Sequence, residues 1–265
     1  MTLSLNAGRK LKQKLRVGET VLGLWITQES LAISEIAAQI GLDWVCIDAE
    51  HGHLDFKEVL AHLVALNGSP TAALVRIQET EEGLIKRILD LGAHGILVPQ
   101  VRTASDVGRA VAFAKYPPQG VRGIGAERAT LWGKALSHVK TANDDTLVIP
   151  MIESVEAGKN LEDILNVAHI DAFYFGPADF SASAGHPGQW EGPGVAEQIL
   201  EIKTRLRARG FACGVSATGI ENGRMRMEQG FQMISLGSDC GLLIRALTEM
   251  LNGLGRAVTP EVWNA

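Results

Sequence analysis

The sequence predicts a single (β/α)8 barrel, and three observations support this fold class. Short apolar runs, typical of buried parallel strands, alternate eight times with longer amphipathic runs that are typical of helices. The alternation recurs about every 33 residues along the 265-residue chain, which is the length of a βα unit. No Ser/Gly/Pro-rich linker interrupts it. We therefore expect one domain over residues 1–265, with an N-terminal extension over about 1–20 and a C-terminal helix over about 240–255.

Four βα units are predicted in the first half of the chain. The strands are predicted from continuous apolar runs and the helices from their 3.6-residue periodicity. Ser105 and Asp106 suit the first turn of the fourth helix, where side-chain oxygens accept bonds from free backbone N–H groups. The predicted strands cover 21–27, 43–50, 71–78 and 95–101, and the helices that follow them cover 29–41, 55–68, 81–92 and 103–116.

Four more units follow, separated by two long irregular segments. The predicted strands cover 147–153, 171–177, 211–217 and 233–239, and the helices cover 154–168, 195–210, 219–230 and 240–253. The segments at 117–145 and 181–194 exceed the usual connection length, and such loops are often functional. The first, with its GVRGIGAER run, would wrap the active site or a neighbouring subunit, or be a solvated loop. The second would shape a substrate pocket or an interface.

Composition and charge exclude several classes of partner. The chain has 25 basic and 30 acidic residues, and the basic ones form no cluster that would attract nucleic acid or an anionic membrane. No apolar run reaches the ~18 residues of a spanning helix, and the N-terminus does not read as a signal peptide. The three cysteines are far apart and lack CxxC spacing, which indicates a reducing cytoplasm.

In a barrel the chemistry lies where strands run into the βα loops, so the carboxyl ends of the strands carry the candidate residues. Carboxylates, one arginine and one histidine converge there: Asp48, Glu50, His51, Arg76, Gln78, Gln100, Glu153, Asp179, Ser216, Ser238 and Asp239. No predicted strand contains a lysine, which argues against Schiff-base chemistry in the barrel.

Glu153 and Asp179 follow neighbouring predicted strands and have few nitrogen or sulfur partners around them. Two oxygen ligands of this kind suit a hard divalent ion that keeps several waters, such as Mg²⁺ or Mn²⁺. The alternative is that both are solvated loop acids.

His51 and Arg76 are candidates for proton transfer and anion binding. A histidine suits a general base because its pKa lies near neutrality, although His51 could instead be a polar loop residue, and His53 competes with it. A barrel-interior guanidinium needs an anion. For Arg76 that anion would be a substrate, or else Asp48 or Glu50. We expect Trp25 and Trp44 to be packing residues.

The segments GLDWVCIDAEHGHLDF, LVRI, LDLGAHGILVPQV, YPPQGVRGIG, IES and FGPADFSASAG occur in this order over roughly residues 20–245 and resemble the HpcH/HpaI aldolases. These are class II pyruvate aldolases on a (β/α)8 barrel of the phosphoenolpyruvate/pyruvate type. The resemblance implies reversible cleavage of a 4-hydroxy-2-oxo acid to pyruvate, or hydroxypyruvate, and an aldehyde through a metal-bound enolate. It also implies a role in aromatic or sugar acid catabolism, dependence on Mg²⁺, Mn²⁺ or Co²⁺, and assembly into a trimer or hexamer.

The resemblance also implies roles for individual residues. Glu153 and Asp179 are similar to the two metal ligands, and the backbone segment Gly176, Pro177, Ala178 and Asp179 resembles the one that receives the pyruvate carboxylate through its N–H groups. His51 resembles the base, Asp90 the acid that pairs with it, and Arg76 the group that stabilises the transition state.

One position departs from the family pattern. Met151 stands two residues before Glu153, where dicarboxylate-cleaving members carry a glutamine that touches substrate. Two other activities remain alternatives on the same barrel: a citryl- or malyl-CoA-type lyase and an oxaloacetate decarboxylase.

Overall fold

A computed structural model describes residues 6–259 and contains the predicted barrel. Eight parallel strands close in chain order, with β8 paired to β1. Each strand is shorter than the predicted apolar run because the run continues into the adjoining loops. The strands are β1 Val21–Ile26, β2 Trp44–Asp48, β3 Ala72–Arg76, β4 Gly95–Val98, β5 Leu147–Ile152, β6 Ala172–Phe175, β7 Ala212–Ser216 and β8 Met233–Ser238.

Helices surround the barrel in the predicted alternation. The segment predicted as one helix over 154–168 is two short helices that meet at Asn160. The helices are α1 Asn6–Arg16, α2 Leu31–Gln39, α3 Phe56–Ala65, α4 Glu82–Asp90, α5 Ala104–Ala114, α6 Val139–Asp145, α7 Val155–Lys159, α8 Leu161–Leu165, α9 Pro177–Ser183, α10 Val195–Ala208, α11 Ile220–Glu228 and α12 Asp239–Gly253. Among the described residues, no helix has the length and apolar content needed to cross a membrane.

Large aromatic side chains fill the barrel interior, and glycines on other strands make room for them. A Cβ on Gly23 of β1 would lie 2.1 Å from the ring of Trp44 on β2. A Cβ on Gly214 of β7 would lie 2.5 Å from the ring of Tyr174 on β6. Because backbone cannot shift by such distances in a closed sheet, glycine is the residue that fits at both positions.

The predicted N-terminal extension contains a helix that closes the amino end of the barrel. In α1 the side chains of Leu11 and Leu15 are buried against the residues that fill the barrel interior. Lys12 forms an ion pair with Asp171 at 2.6 Å, just before β6. Since α1 lies beneath the amino ends of the strands, it seals the side of the barrel opposite the βα loops.

The long segment at 117–145 lies at this same closed end, because it connects the end of α5 to the start of β5. It contains two short 3-10 turns, Arg128–Thr130 and Leu136–His138, followed by α6. Of the three alternatives for this segment, the one in which it wraps the active site of its own barrel is therefore wrong. An αβ connection returns to the amino ends of the strands and not to the catalytic rim.

The last helix, α12, contacts the barrel through the side chain of Arg245. Arg245 anchors it by donating from Nη2 to the carbonyl of Leu236 at 2.7 Å and from Nη1 to the carbonyl of Thr218. The apolar side chains of Leu243, Leu247 and Met250 are 51–64% exposed within this chain. This apolar face therefore has no covering partner among the residues that the structure describes.

Candidate functional site

Arg76, the last residue of β3, is held at the rim by two carboxylates. Nε donates to Asp48 Oδ1 at 2.9 Å and Nη2 donates to Asp48 Oδ2 at 2.6 Å, which is a bidentate pair. Nη1 lies 3.1 Å from Glu50 Oε2. Burial alone would lower the pKa of Arg76, but the two carboxylates outweigh it and raise that pKa. The guanidinium is thus permanently charged and firmly oriented.

The structural anions expected for Arg76, Asp48 and Glu50, are both present. The guanidinium nevertheless keeps N–H groups that neither carboxylate uses. Each terminal nitrogen carries two N–H groups. Asp48 accepts from one of those on Nη2, and Glu50 Oε2 faces Nη1 as an ion pair without accepting a hydrogen bond. The remaining N–H groups can therefore bind an oxygen of a substrate.

Asp48 also shapes the turn that presents His51. Its Oδ1 accepts from the backbone N–H of Glu50 at 3.1 Å and of His51 at 3.2 Å. The imidazole of His51 is mostly exposed, and its Nε2 lies 4.0 Å from Glu50 Oε2. His51 is therefore free to meet a substrate, and its acidic neighbour within this chain is Glu50.

Glu153 follows β5 directly and is almost fully buried, at 2% exposure. Its Oε1 accepts from the backbone N–H of Gln100, a residue with a left-handed backbone at φ 53°. A Cβ on Gly176 would lie 2.6 Å from Glu153 Oε2, so glycine at this position lets the carboxylate approach the β6 backbone. Burial raises the pKa of Glu153 to about 7, and the charges of Glu50 and Asp179 act in the same direction.

A cation fits this cluster of carboxylates. Glu50 Oε2 is buried and accepts no hydrogen bond from any described residue. Burial together with its acidic neighbours raises the pKa of Glu50 despite the opposing charge of Arg76. Mutual repulsion of this kind is relieved when a divalent ion binds. Within residues 6–259 no three His, Cys, Asp or Glu side chains are grouped as a complete metal cage. A two-carboxylate set completed by water and substrate suits Mg²⁺ or Mn²⁺ better than a closed cage does.

The segment after β6 forms the first turn of α9, with Gly176 as its N-cap and Pro177 at its first position. The N–H of Gly176 already donates to Ile152, and proline has none. Of the four residues expected to receive a carboxylate, Ala178 and Asp179 carry the first-turn N–H groups that a helix leaves without intrahelical partners. Asp179 is half-buried.

Asp90 lies far from this rim. It is the last residue of α4, which starts after β3 at the rim and runs back to the amino end of β4. Its Oδ1 accepts from Arg122 Nη2 at 2.7 Å, and Arg122 belongs to the 117–145 connection. Within one chain the structure therefore does not bring Asp90 and His51 together, and any pairing between them would join two subunits.

Other rim residues have structural partners. Asp239 accepts from the backbone N–H groups of Thr27 and Gln28 at 2.9 and 3.0 Å, which ties β8 to the loop after β1. Ser238 caps α12. None of the eight strands contains a lysine. The role of the Gln100 backbone N–H was not predictable, because no side-chain pattern reports a backbone donor.

The chain resembles known proteins in both sequence and fold. A family model described as HpcH/HpaI aldolase/citrate lyase matches residues 21–246. The chain is 35% identical to a hydroxypyruvate/pyruvate aldolase of Pseudomonas aeruginosa and 36% identical to a 2-keto-3-deoxy-L-rhamnonate aldolase of Escherichia coli, each over 91% of both chains. A crystal structure of a HpcH/HpaI aldolase/citrate lyase family protein from Burkholderia cenocepacia superposes with a TM-score of 0.89 at 32% identity, covering 93% of this chain and 99% of that one.

Proposed function

Because the chain belongs to the HpcH/HpaI aldolase/citrate lyase family, we propose that its rim cleaves a 4-hydroxy-2-oxo acid reversibly to pyruvate, or hydroxypyruvate, and an aldehyde. The chain is a class II aldolase and a carbon–carbon lyase. The observation that carries the finer proposal is the meeting of Arg76, with unused donors, and the buried carboxylate of Glu153 at one end of the barrel.

The family is generally dependent on a divalent metal ion. In this chain Glu153 and Asp179 would hold it, with Glu50 as the neighbouring negative charge. When bound there, the ion supplies Lewis-acid polarisation of the keto group of pyruvate. Mg²⁺, Mn²⁺ and Co²⁺ are the candidates.

Other residues of the chain would bind the substrate, transfer its proton and stabilise the developing charge. The backbone N–H groups of Ala178 and Asp179 would receive the substrate carboxylate at the start of α9. His51, exposed at the rim, would take a methyl proton from pyruvate in the condensation direction and return it during cleavage. The free N–H groups of Arg76 would donate to the keto oxygen as negative charge develops on it.

Met151 gives the pocket an apolar wall. It is buried among the residues that fill the barrel, and its Cε would lie 3.5 Å from a Cβ on Gly176. A thioether accepts hydrogen bonds only weakly and donates none. The wall beside Glu153 therefore offers no amide to a second carboxylate, which favours substrates whose aldehyde half is not an acid.

A retro-aldol screen tests this function. We expect pyruvate or hydroxypyruvate to be released from 4-hydroxy-2-oxo acids, including sugar-derived ones, when Mg²⁺, Mn²⁺ or Co²⁺ is present. Oxaloacetate and a citryl- or malyl-CoA thioester serve as comparison substrates. Cleavage of the thioester with no release from any hydroxy-oxo acid would assign the alternative lyase activity instead.

Self-association is the second part of the proposal: the chain would form a homo-oligomer, a trimer or a hexamer. The exposed apolar face of α12 supports it, since such a face is commonly covered in an assembly. The position of Asp90 supports it as well, because only a second copy could place this residue beside His51.

The oligomer has its own test. In sedimentation we expect wild-type protein well above the 28.4 kDa of one chain, and a Leu243→Glu, Leu247→Glu variant shifted towards the monomer. A Thr204→Glu, Ala208→Glu variant is the matched control, because it adds two charges at the same spacing to exposed positions of α10. A monomeric wild type, or equal behaviour of the two variants, would contradict the role of α12.

A further inference from the structure

A column of aromatic rings runs through the barrel and ends beneath Arg76. The ring of Trp44 meets Tyr174 edge to face at 6.1 Å between centroids, and Tyr174 meets Trp25 in the same manner at 5.6 Å. The Cζ atom of Arg76 then lies 4.6 Å from the centroid of the Trp25 ring. Packing alone would account for the lower rings, but the last contact joins the column to the candidate site.

Hydrogen bonds fix the orientation of Trp25. Its Nε1 donates towards Tyr174 Oη at 3.3 Å and Ser216 Oγ at 3.2 Å, and these two oxygens are 3.0 Å apart. The three side chains come from β1, β6 and β7, and Tyr174 is fully enclosed. A buried indole N–H with these partners cannot rotate without losing them, so the plane of the Trp25 ring is set.

The ring and the carboxylates restrain different motions of Arg76. Hydrogen bonds to Asp48 lie in the guanidinium plane and fix its rotation within that plane. They leave a tilt about the axis through these bonds less restrained. The ring of Trp25, with Arg76 Cζ over it, limits that tilt and attracts the cation.

We propose that Trp25, held by Tyr174 and Ser216, is a positioning residue that keeps Arg76 at the tilt in which its unused N–H groups face the keto oxygen of the substrate. The inference rests on the proposed function, since it acts through the role given there to Arg76. The residues that support the reaction would then include the hydrogen-bonded group of Trp25, Tyr174 and Ser216 within the barrel.

Trp44 provides a matched control. It is the same residue type in the same column, it is fully buried and it contacts Tyr174 at a similar distance. Its Nε1 has no hydrogen-bond partner among residues 6–259. Trp44 begins β2, at the opposite end of that strand from Asp48, the partner of Arg76. Trp25→Phe and Trp44→Phe therefore remove similar packing, but only the first changes the ring that contacts the guanidinium and removes the hydrogen bonds that orient that ring.

The test is deuterium exchange of the pyruvate methyl group in D2O by the Mg²⁺- or Mn²⁺-loaded protein. We expect Trp25→Phe to lower kcat for exchange about 10-fold with little change in KM, because a misplaced donor weakens the transition state more than the bound ground state. Trp44→Phe should leave kcat close to wild type even if its Tm falls. Equal losses of kcat in the two variants would overturn the proposal.

A double-substitution cycle tests whether Trp25 acts through Arg76. In an Arg76→Lys background, which lacks the planar fork, Trp25→Phe should cause little further loss, because coupled residues are not additive. Losses that multiply would show an independent effect and contradict the inference.

If Arg76→Ala alone retains wild-type exchange, the proposed function fails. If Arg76→Ala is inactive and Trp25→Phe is unaffected, only the positioning role fails.

Discussion

Replacing Arg76 by alanine is expected to slow pyruvate methyl exchange by about 10²–10³-fold, the usual effect of losing a preorganised donor to developing negative charge. The substitution also leaves the buried Asp48 and the mostly buried Glu50 without their cation. We therefore expect a lower Tm as well. Exchange measured well below that Tm separates the catalytic loss from unfolding.

Arg76→Lys and Arg226→Lys form a matched pair for this experiment. Arg226 is also buried, stacks on an aromatic ring at 3.4 Å and pairs with a carboxylate, but it lies on α11 outside the barrel. Both lysine variants keep the charge and lose the planar fork. Exchange should fall in Arg76→Lys alone. Near-normal exchange in Arg76→Lys and Arg76→Ala would remove Arg76 from the mechanism.

Glu153→Gln is expected to abolish metal-dependent activity while leaving the metal-free protein as stable as wild type or more so. The amide has nearly the same shape and can still accept the N–H of Gln100. The substitution removes a buried negative charge that is repelled by the charges of Glu50 and Asp179. The metal-free protein is therefore relieved of that repulsion. Loss of a direct ligand should weaken the binding of Mn²⁺ by more than the roughly 10–100-fold that loss of a supporting partner costs.

Glu156→Gln is the control for this variant, because Glu156 lies three residues further along the chain and is exposed on α7. Titration with Mn²⁺, followed by the rise in Tm, should stabilise wild type and Glu156→Gln but not Glu153→Gln. Equal stabilisation of all three proteins would exclude Glu153 as a ligand.

The fold was predictable because each βα unit repeats the same two patterns. Buried parallel strands have apolar residues on both faces, and this signal is strong enough to find all eight. The structure of the N-terminal extension was not predicted. The apolar side chains of α1 are few and are separated by charged residues that pair with Asp43, Asp145 and Asp171.

The candidate site was predictable only as far as strand ends reveal it. Asp48, Glu50, Arg76 and Glu153 stand at or just beyond such ends, and the structure brings them to one rim. Asp90 cannot be placed by this rule because it ends a helix. The strand-end rule also cannot predict the contact between Arg76 and Trp25. Their strands, β3 and β1, are not neighbours in the sheet, and no sequence pattern reports a contact between side chains inside a barrel.

The most direct test of the central claim is methyl exchange of pyruvate in D2O by wild-type protein stripped of metal and then reloaded. We expect exchange to be lost with the metal and restored by Mg²⁺, Mn²⁺ or Co²⁺, since enolisation needs both the ion and the residues at this rim. Exchange at the full rate after rigorous metal removal would contradict the assignment of Glu153 and Asp179 as ligands of a catalytic ion.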